Sequence, residues 1–288
     1  MIETILTIAF LAEVLRISVP YALAAICGST TERAGVIDLA LEGKLLFGAF
    51  AAATIAHATD SAYIGVAGGM AAGAAVAALQ IWFALRLGAD QVIVGVALNL
   101  LALGGTRFLL QLFYGEGTNS PRGPAFGDAV ATNPIVWIAV IATAGVAFAF
   151  VRTRWGLRLR AAGDRPEALV TVGVSPFRAR LYAALVGGAL AGAGGAQISL
   201  SVGVFSADMS GGRGYMALAM VILAGWRPAW AAIACVGVAC ASAIGFHLQI
   251  AGSSIPPELA PLLPYVLTLL VLVIFGSLGK PPRSLGKI

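Results

Sequence analysis

Charged residues are scarce in this 288-residue sequence, where Asp, Glu, Lys and Arg together make up 11% of the chain. A soluble globular domain carries about 25% charged residues, because its surface must face water. Hydrophobic residues account for 59% of the chain, above the roughly 45–50% of an ordinary domain. The scarcity of charge excludes a water-soluble globular protein and predicts that much of the surface faces lipid.

Cysteine and histidine are also rare, with three and two residues respectively. Cys27, Cys235 and Cys240 lie in or beside apolar segments at a spacing that fits no zinc or haem pattern. We interpret them as small packing residues. His57 and His247 have no acidic or thiol neighbours at metal-ligand spacing. We therefore expect no metal site, no cofactor and no catalytic centre in this chain.

Long polar stretches are missing as well. The two longest, 114–132 and 152–179, are too short to bury a core of their own. We therefore expect residues 1–288 to form a single transmembrane domain. If a nucleotide powers this protein, the ATPase must be a separate polypeptide.

Apolar blocks fill most of the chain, and most are near the ~20 residues that cross a bilayer as a helix. Nine are distinguished, at 2–26, 35–58, 62–86, 91–113, 133–151, 180–202, 214–225, 229–250 and 261–278. The seventh is short, which predicts a half-helix, a re-entrant segment or a span lengthened by its flanks. The second carries Asp38, Glu42 and Lys44 in its first turns, which predicts a break or a later helix start. The fold class predicted is an all-α membrane protein, a bundle of about nine (8–10) transmembrane helices.

The basic residues predict an orientation, because cytoplasmic loops of membrane proteins are enriched in Lys and Arg. Seven arginines lie in or beside the loop 152–179, which we therefore place in the cytoplasm. Counting spans from this loop puts 13 of the 18 basic residues on the same side. Nine spans then place the N-terminus outside and the C-terminal tail, 279–288, in the cytoplasm. The first block lacks a basic n-region, so we interpret it as a retained helix and not a signal peptide.

The cytoplasmic loop contains a short predicted helix, DRPEALVTVG (164–173). Asp164 and Glu167 form a capping-box pattern, Pro166 falls in the first turn, and Gly173 is a C-terminal stop. Ser175 is predicted to cap the next helix. A short, partly apolar helix suits docking into a partner, and it equally suits a connector at the lipid surface.

This helix resembles the E-A-A-x-x-x-G coupling-helix pattern of ABC importer permeases. Glu167, Ala168 and Gly173 match that pattern, whereas Leu169 replaces its second alanine. The Ile-x-Leu-Pro continuation of the maltose-type permeases is absent, which points to the branched-chain amino acid, ribose and nucleoside permease group. The resemblance implies that Asp164, Glu167, Ala168 and Gly173 couple the chain to a cytoplasmic ATPase.

Two further stretches resemble the same group. ERAGVIDLALEGKLLFGAF (32–50) is similar to the ER-x-G-V-x-N-x-x-x-E-G signature of nucleoside permeases that work with basic-membrane-type lipoproteins. Asp38 stands where that signature has asparagine, and GVIDL also partly matches a pattern of sugar permeases. The second stretch is GGRGYMALAMVILAGWRP (211–228).

The resemblance implies a bacterial inner-membrane permease that imports a nucleoside or, as the second choice, a simple sugar. Its implied partners are an ATPase that binds ATP, a second permease (identical or related) and an extracytoplasmic solute-binding lipoprotein.

Polar residues inside apolar blocks are costly in a membrane and so predict functional or packing roles. Glu42 either faces the solute pathway or pairs with Arg33 or Lys44. Asn99, Arg107 and Gln111 form a predicted polar stripe on the fourth block, with Arg107 buried. This stripe either lines the pathway or holds helices together.

Two competing functions are weaker. A stand-alone ion-coupled transporter predicts mid-span carboxylates and an inverted repeat. No acidic residue lies clearly at a span centre after Glu42, and no repeat is evident. A membrane enzyme or assembly factor would need a nucleophile constellation or a metal cluster, and the sequence contains neither pattern.

Overall fold

The computed structural model describes residues 8–127, 130–250, 262–275 and 280–287. Within these residues the chain is helical, and the only extended pairing is an isolated bridge between Asn119 and Ser206. The α-helices are α1 (Ile8–Arg33), α2 (Leu41–Thr59), α3 (Ala62–Ile81), α4 (Gln91–Tyr114), α5 (Pro134–Arg152), α6 (Arg154–Asp164), α7 (Pro166–Thr171), α8 (Pro176–Val202), α9 (Arg213–Leu223), α10 (Pro228–Ile250) and α11 (Leu263–Phe275). A π-helical turn, Trp82–Arg86, extends α3.

Six of the described helices are long and apolar enough to cross a membrane. They are α1, α3 with its π-helical turn, α4, α5, α8 and α10. The expectation of about nine spans is therefore not supported, although each predicted block contains a helix. Residues 2–7 of the first block and 261 and 276–278 of the ninth lie outside the described residues.

The three remaining blocks fall short for different reasons. Helix α2 begins only at Leu41 and carries Glu42, Lys44 and His57, which lower its hydropathy. The described part of α11 has 13 residues. Helix α9 has 11 residues, or about 16 Å at 1.5 Å per residue, roughly half of a 30 Å hydrocarbon core. Counting apolar blocks overestimates full spans because a half-length helix is as apolar as a whole one.

Helix α8 lies at the centre of the bundle and packs against α1, α2 and α3. Its contact with α3 is close because both helices present glycine. A Cβ atom added to Gly192 would overlap the backbone carbonyl of Gly69. Small residues that let helix backbones approach are the usual means of helix packing inside a membrane.

The bundle has two chemically different ends. One end gathers the C-terminus of α1, the start of α8, the turn between α9 and α10, and the C-terminal tail. Arg180 donates to the carbonyls of Ala34 (3.1 Å) and Ala162 (3.4 Å) there, and Ser284 N donates to Gly163 O (2.8 Å). The end of α5, helices α6 and α7 and the π-helical turn also lie at this end. We call it the arginine-rich end, because these segments together carry the 13 basic residues that the sequence predicts on one side.

Loop segments cover the opposite end. Ser120 N donates to Phe205 O, and Gly123 N donates to Gly203 O, both at 2.8 Å. His57 Nδ1 lies 3.3 Å from Arg122 O at the same end. Most basic residues lie at the arginine-rich end and few, such as Arg122, at the other, which is the asymmetry expected of a membrane protein.

Candidate solute pathway and coupling surface

Helix α9 begins inside the bundle, where its free N–H groups need acceptors other than water. Glu42 supplies them from the first turn of α2. Its Oε1 accepts from Gly212 N (2.8 Å) and its Oε2 accepts from Gly214 N (2.6 Å). The carboxylate also lies at the positive end of the helix dipole, where a negative charge is favourable. Glu42 therefore caps α9 and forms no ion pair with Arg33 or Lys44 in the described structure.

Gly214 makes this capping possible because it brings the two backbones together. A Cβ atom at Gly214 would overlap the backbone N and Cα of Glu42. A glycine at position 214 is thus a steric requirement of the Glu42 contact.

The C-terminal end of α9 is held by Glu32 and Arg33, the first two residues of the signature segment 32–50. Trp226 Nε1 donates to Glu32 Oε2. Arg33 donates from Nε to Trp226 O (3.0 Å) and from Nη2 to Gly225 O (3.2 Å). Residues 32–50 therefore hold α9 at both ends. The two sequence stretches that indicate the family form one contact in three dimensions.

Asp38 and Lys44 form an ion pair at the centre of the signature segment. Lys44 Nζ lies 2.6 Å from Asp38 Oδ1 and 2.7 Å from Oδ2, and both side chains are fully buried. Cys27 Sγ lies 3.5 Å from Asp38 Oδ2. The aspartate that replaces the expected asparagine is thus neutralised by a lysine six residues later.

The predicted polar stripe of α4 divides between the inside and the outside of the bundle. Asn99 is buried and fully hydrogen-bonded: Oδ1 accepts from Gly43 N (2.8 Å), and Nδ2 donates to Leu39 O (2.8 Å) and Tyr215 OH (3.1 Å). It joins α4 to the signature segment and to α9.

Arg107 and Gln111 are exposed on the outer face of α4. The expectation that Arg107 is buried was wrong, because α4 lies at the periphery of the described bundle. Gln111 Nε2 donates within its own helix end, to Gly115 O (3.2 Å). A role of Glu42, Asn99, Arg107 or Gln111 in transport stays a prediction.

A cavity of about 650 Å³ lies between α1, α8, α9, α10 and α11. None of the four predicted pathway residues lines it. Glu13 near the start of α1 and Val202 at the end of α8 are among its lining residues, so it reaches toward the end of the bundle opposite the arginine-rich end. Its volume is within the range of roughly 300–1,000 Å³ typical of small-molecule sites.

Gln197 of α8 lines this cavity with unused hydrogen-bonding capacity. It is 3% exposed, and neither its Oε1 nor its Nε2 has a hydrogen-bond partner in the described protein. Buried polar groups nearly always have partners. An unpaired amide that lines a cavity is thus prepared to bind a polar molecule inside it.

Aromatic rings and a cation also line the cavity, among mainly aliphatic and small residues. Tyr21, Phe246 and Tyr265 contribute rings, and Arg213 lies beside them. Arg213 begins α9 and donates from Nη1 to Met209 O (2.7 Å). The sequence did not identify Gln197, because one amide in a Gly/Ala-rich span carries no local signal of its lack of partners.

The predicted coupling helix is present as α7, Pro166–Thr171. The prediction that Asp164 is the N-cap of this helix was wrong. Asp164 ends α6, and its Oδ1 accepts from Arg283 N (3.3 Å) in the C-terminal tail. Arg165 occupies the N-cap position without a side-chain hydrogen bond. The reason is that residues 154–164, which were expected to be loop, form helix α6. This helix buries Leu159 and Ala162 and continues as far as Asp164.

The other coupling residues lie on an exposed surface. Glu167, Ala168 and Gly173 are all exposed. Gly173 ends the turn with φ 73°, as its sequence position predicts, and Val174 N donates back to Leu169 O (2.9 Å). Leu169 is buried and anchors α7. Val170 and Val172, at 64% and 69% exposure, form an apolar surface next to Glu167.

The sequence profile of the family described as branched-chain amino acid transport system permease component matches residues 10–272. The chain belongs to this permease family. A guanosine ABC transporter permease of Bacillus subtilis is 29% identical over 93% of this chain and 92% of its own length. A nucleoside ABC transporter permease of Lactococcus lactis is 30% identical over 96% and 94% respectively.

A protein provisionally named a glucose ABC transporter permease in Haloferax volcanii is 35% identical over 69% of this chain and 65% of its own length. No solved structure matches the chain significantly. Membership in the permease family identifies the chain as the membrane transport subunit of its system.

Proposed function

We propose that this chain is the membrane-spanning permease of an ABC importer that carries a nucleoside into the cytoplasm of a bacterium. The observation that carries the proposal is the unpaired Gln197 amide in a cavity that three aromatic rings help to line. The nucleoside and guanosine transport of two relatives supports the same substrate class. A simple sugar is the second candidate, favoured by the glucose permease relative.

The proposed orientation puts the arginine-rich end and the C-terminal tail in the cytoplasm. The grouping of 13 of the 18 basic residues at that end supports it. The cavity then reaches toward the outer face, where a solute-binding lipoprotein would deliver its cargo. The ATPase would act at the other face, where α7 is exposed.

The cavity chemistry favours a nucleoside over a sugar. A glutamine amide offers a donor and an acceptor side by side, which matches the edge of a nucleobase. Aromatic rings such as Tyr21 and Phe246 bind the face of a base by stacking. A sugar would use the amide and Arg213 but would leave most of the aromatic surface without a flat partner.

Coupling is proposed to run through α7, with the ATP bound and hydrolysed by the partner subunit. Leu169 fixes α7 to the bundle, while Val170, Val172 and Glu167 remain free to enter a groove on the ATPase. Helix-in-groove docking uses apolar anchors of this kind. A second permease, identical or related, completes the pore in this proposal.

The alternative of an ion-coupled transporter requires interior carboxylates that can take up and release an ion. Within the described structure, the buried carboxylates of Glu32, Asp38 and Glu42 are all bonded to protein groups. Each has a structural role there, which disfavours this alternative.

The Gln197→Leu variant tests the solute site, with Gln111→Leu as the matched control on the outer face of α4. We expect Gln197→Leu to raise the KM for nucleoside uptake roughly 5- to 100-fold, from the loss of two neutral hydrogen bonds. The apparent melting temperature should stay the same or rise, because the substitution removes an unpaired buried amide. Gln111→Leu should leave uptake unchanged.

Unchanged uptake by Gln197→Leu would remove the cavity from the pathway. A loss of uptake that follows a loss of thermal stability would assign Gln197 a structural role. A Gln111→Leu defect would return the pathway to the polar stripe of α4.

The coupling surface has its own test in the Val170→Asp/Val172→Asp double variant, with Val170→Ile/Val172→Ile as the conservative control. The Asp variant should stay in the membrane but lose the ATPase on purification and lose ATP-dependent uptake. Retention of the ATPase by the Asp variant would place the coupling surface elsewhere.

A further inference from the structure

A second cavity lies at the arginine-rich end and is separate from the proposed solute site. It has a volume of about 770 Å³ and lies between the end of α1, the turn that joins α9 to α10, the start of α10, and the C-terminal tail. The coupling helix α7 does not line it. The proposed transport mechanism gives this cavity no role.

Positive charge dominates its lining. Four basic side chains from three separate segments surround it: Arg33, Arg227, Lys280 and Arg283. Asp164 is the one acidic residue of the lining, and its Oδ1 already accepts from the backbone N of Arg283. The cavity therefore holds an excess of three positive charges.

These cations are not neutralised by the described part of the protein. Arg33 donates to two backbone carbonyls, but the side chains of Arg227, Lys280 and Arg283 make neither a hydrogen bond nor an ion pair with described residues. Asp164 attracts the charge of Arg33, whereas Arg160 and Arg227 repel it. Like charges held together by the fold create a site for an anion, which would relieve the repulsion.

One wall of the cavity is apolar and continues onto the outer surface of a membrane span. Trp230 and Ile233 of α10 both line the cavity, and both are 59% exposed. They lie three residues apart and so share one face of the helix. Tryptophan is enriched where a span meets the headgroup layer. The site thus opens sideways toward lipid, beside its cationic lining.

We propose that this cavity binds the headgroup of an anionic phospholipid, with the acyl chains along Trp230 and Ile233. A phosphate diester would supply the negative counter-charge that Arg227, Lys280 and Arg283 do not find in the described protein. Its acyl chains use the apolar wall, which a free phosphate would leave empty. Basic pockets between membrane helices at the cytoplasmic side bind anionic headgroups in this way. The bound lipid would link the C-terminal tail to α1 and α10.

The test compares apparent melting temperatures of the purified full chain in detergent with three added probes. They are dioleoylphosphatidylglycerol, dioleoylphosphatidylcholine with the same chains but no net charge, and glycerol phosphate with the charge but no chains. The variants are Arg227→Gln/Arg283→Gln and the matched control Arg154→Gln/Arg158→Gln. The control removes the same charge from exposed positions of α6 that do not line the cavity.

We expect phosphatidylglycerol to stabilise the chain in a saturable manner, and the other two probes to have little effect. Arg227→Gln/Arg283→Gln should weaken the apparent affinity for phosphatidylglycerol roughly 10- to 100-fold, from the loss of two charge-assisted contacts. The control variant should keep wild-type affinity.

Four results would overturn the proposal. Equal stabilisation by phosphatidylcholine would indicate a nonspecific effect of lipid. An equal effect of glycerol phosphate would indicate a site for free anions. Equal losses in the two variants would indicate general surface electrostatics. Wild-type affinity of Arg227→Gln/Arg283→Gln for phosphatidylglycerol would place the lipid contact outside this cavity.

Discussion

The cap of α9 by Glu42 gives the strongest quantitative prediction. Replacing Glu42 with alanine leaves the N–H groups of Gly212 and Gly214 without their acceptors inside the bundle. Replacing it with glutamine keeps one acceptor oxygen but loses the charge, and it turns an amide NH₂ toward an N–H group. The two variants therefore remove the interaction in graded steps.

The size of the effect follows from these two bonds. A hydrogen bond to a charged group contributes about 1.5–3 kcal/mol, and this figure already includes the attraction of the carboxylate to the helix N-terminus. We expect Glu42→Ala to lower the free energy of unfolding by on the order of 3–6 kcal/mol. Glu42→Gln should lower it by about half as much.

The assay is the apparent melting temperature in detergent at a fixed scan rate, together with hydrogen exchange of the Gly212 and Gly214 amides. The matched control is Glu116→Gln, because Glu116 is exposed and a surface change of this kind stays within about 0.5 kcal/mol. The expected order of stability is wild type and Glu116→Gln, then Glu42→Gln, then Glu42→Ala. Amide exchange at Gly212 and Gly214 should accelerate in the same order.

The reasoning would be refuted if both Glu42 variants melted together with Glu116→Gln. It would also be refuted if the melting temperature fell while the two amides kept their protection. The first result would mean that water or other groups satisfy α9 without the carboxylate. The second would mean that Glu42 stabilises another part of the bundle.

Two further predictions concern the contact between α8 and α3 and the buried ion pair of Asp38 and Lys44. Gly192→Ala should destabilise the chain by about 1–3 kcal/mol, since the added methyl group meets the backbone of α3; Gly237→Ala, with open space around it, should melt like wild type. Lys44→Met should cost about 3–5 kcal/mol by leaving a buried carboxylate unpaired, and adding Asp38→Asn should recover more than half of that loss; thermal melting that shows no recovery would contradict the role of the pair.

The helices could be predicted from the sequence because their signals are local. Apolar length identified every block. The shortness of 214–225 gave a half-helix as one of three alternatives, and the charges of the second block gave a late helix start as one of two; the structure has both. Gly173 and Ser175 were also recognised correctly as a stop and a cap: Gly173 has a positive φ, and Ser175 caps α8. Each of these features depends on residues close together in the chain.

The sequence was less informative where a role depends on a distant partner. Glu42 was recognised as costly in a membrane, but its partners, Gly212 and Gly214, lie 170 and 172 residues away. The burial of Arg107 was misjudged because hydropathy does not say which side of a helix faces the bundle. Gln197 could not be found, because its distinguishing property is the absence of a partner in three dimensions.

Uptake by proteoliposomes tests the central claim most directly. The chain would be reconstituted with its ATPase, any second permease and its binding lipoprotein, and labelled nucleoside uptake would be measured with and without ATP. The proposed function predicts uptake that requires ATP and the ATPase, and that falls in Gln197→Leu but not in Gln111→Leu. Uptake by the chain alone, driven by an ion gradient and unaffected by ATP, would contradict it.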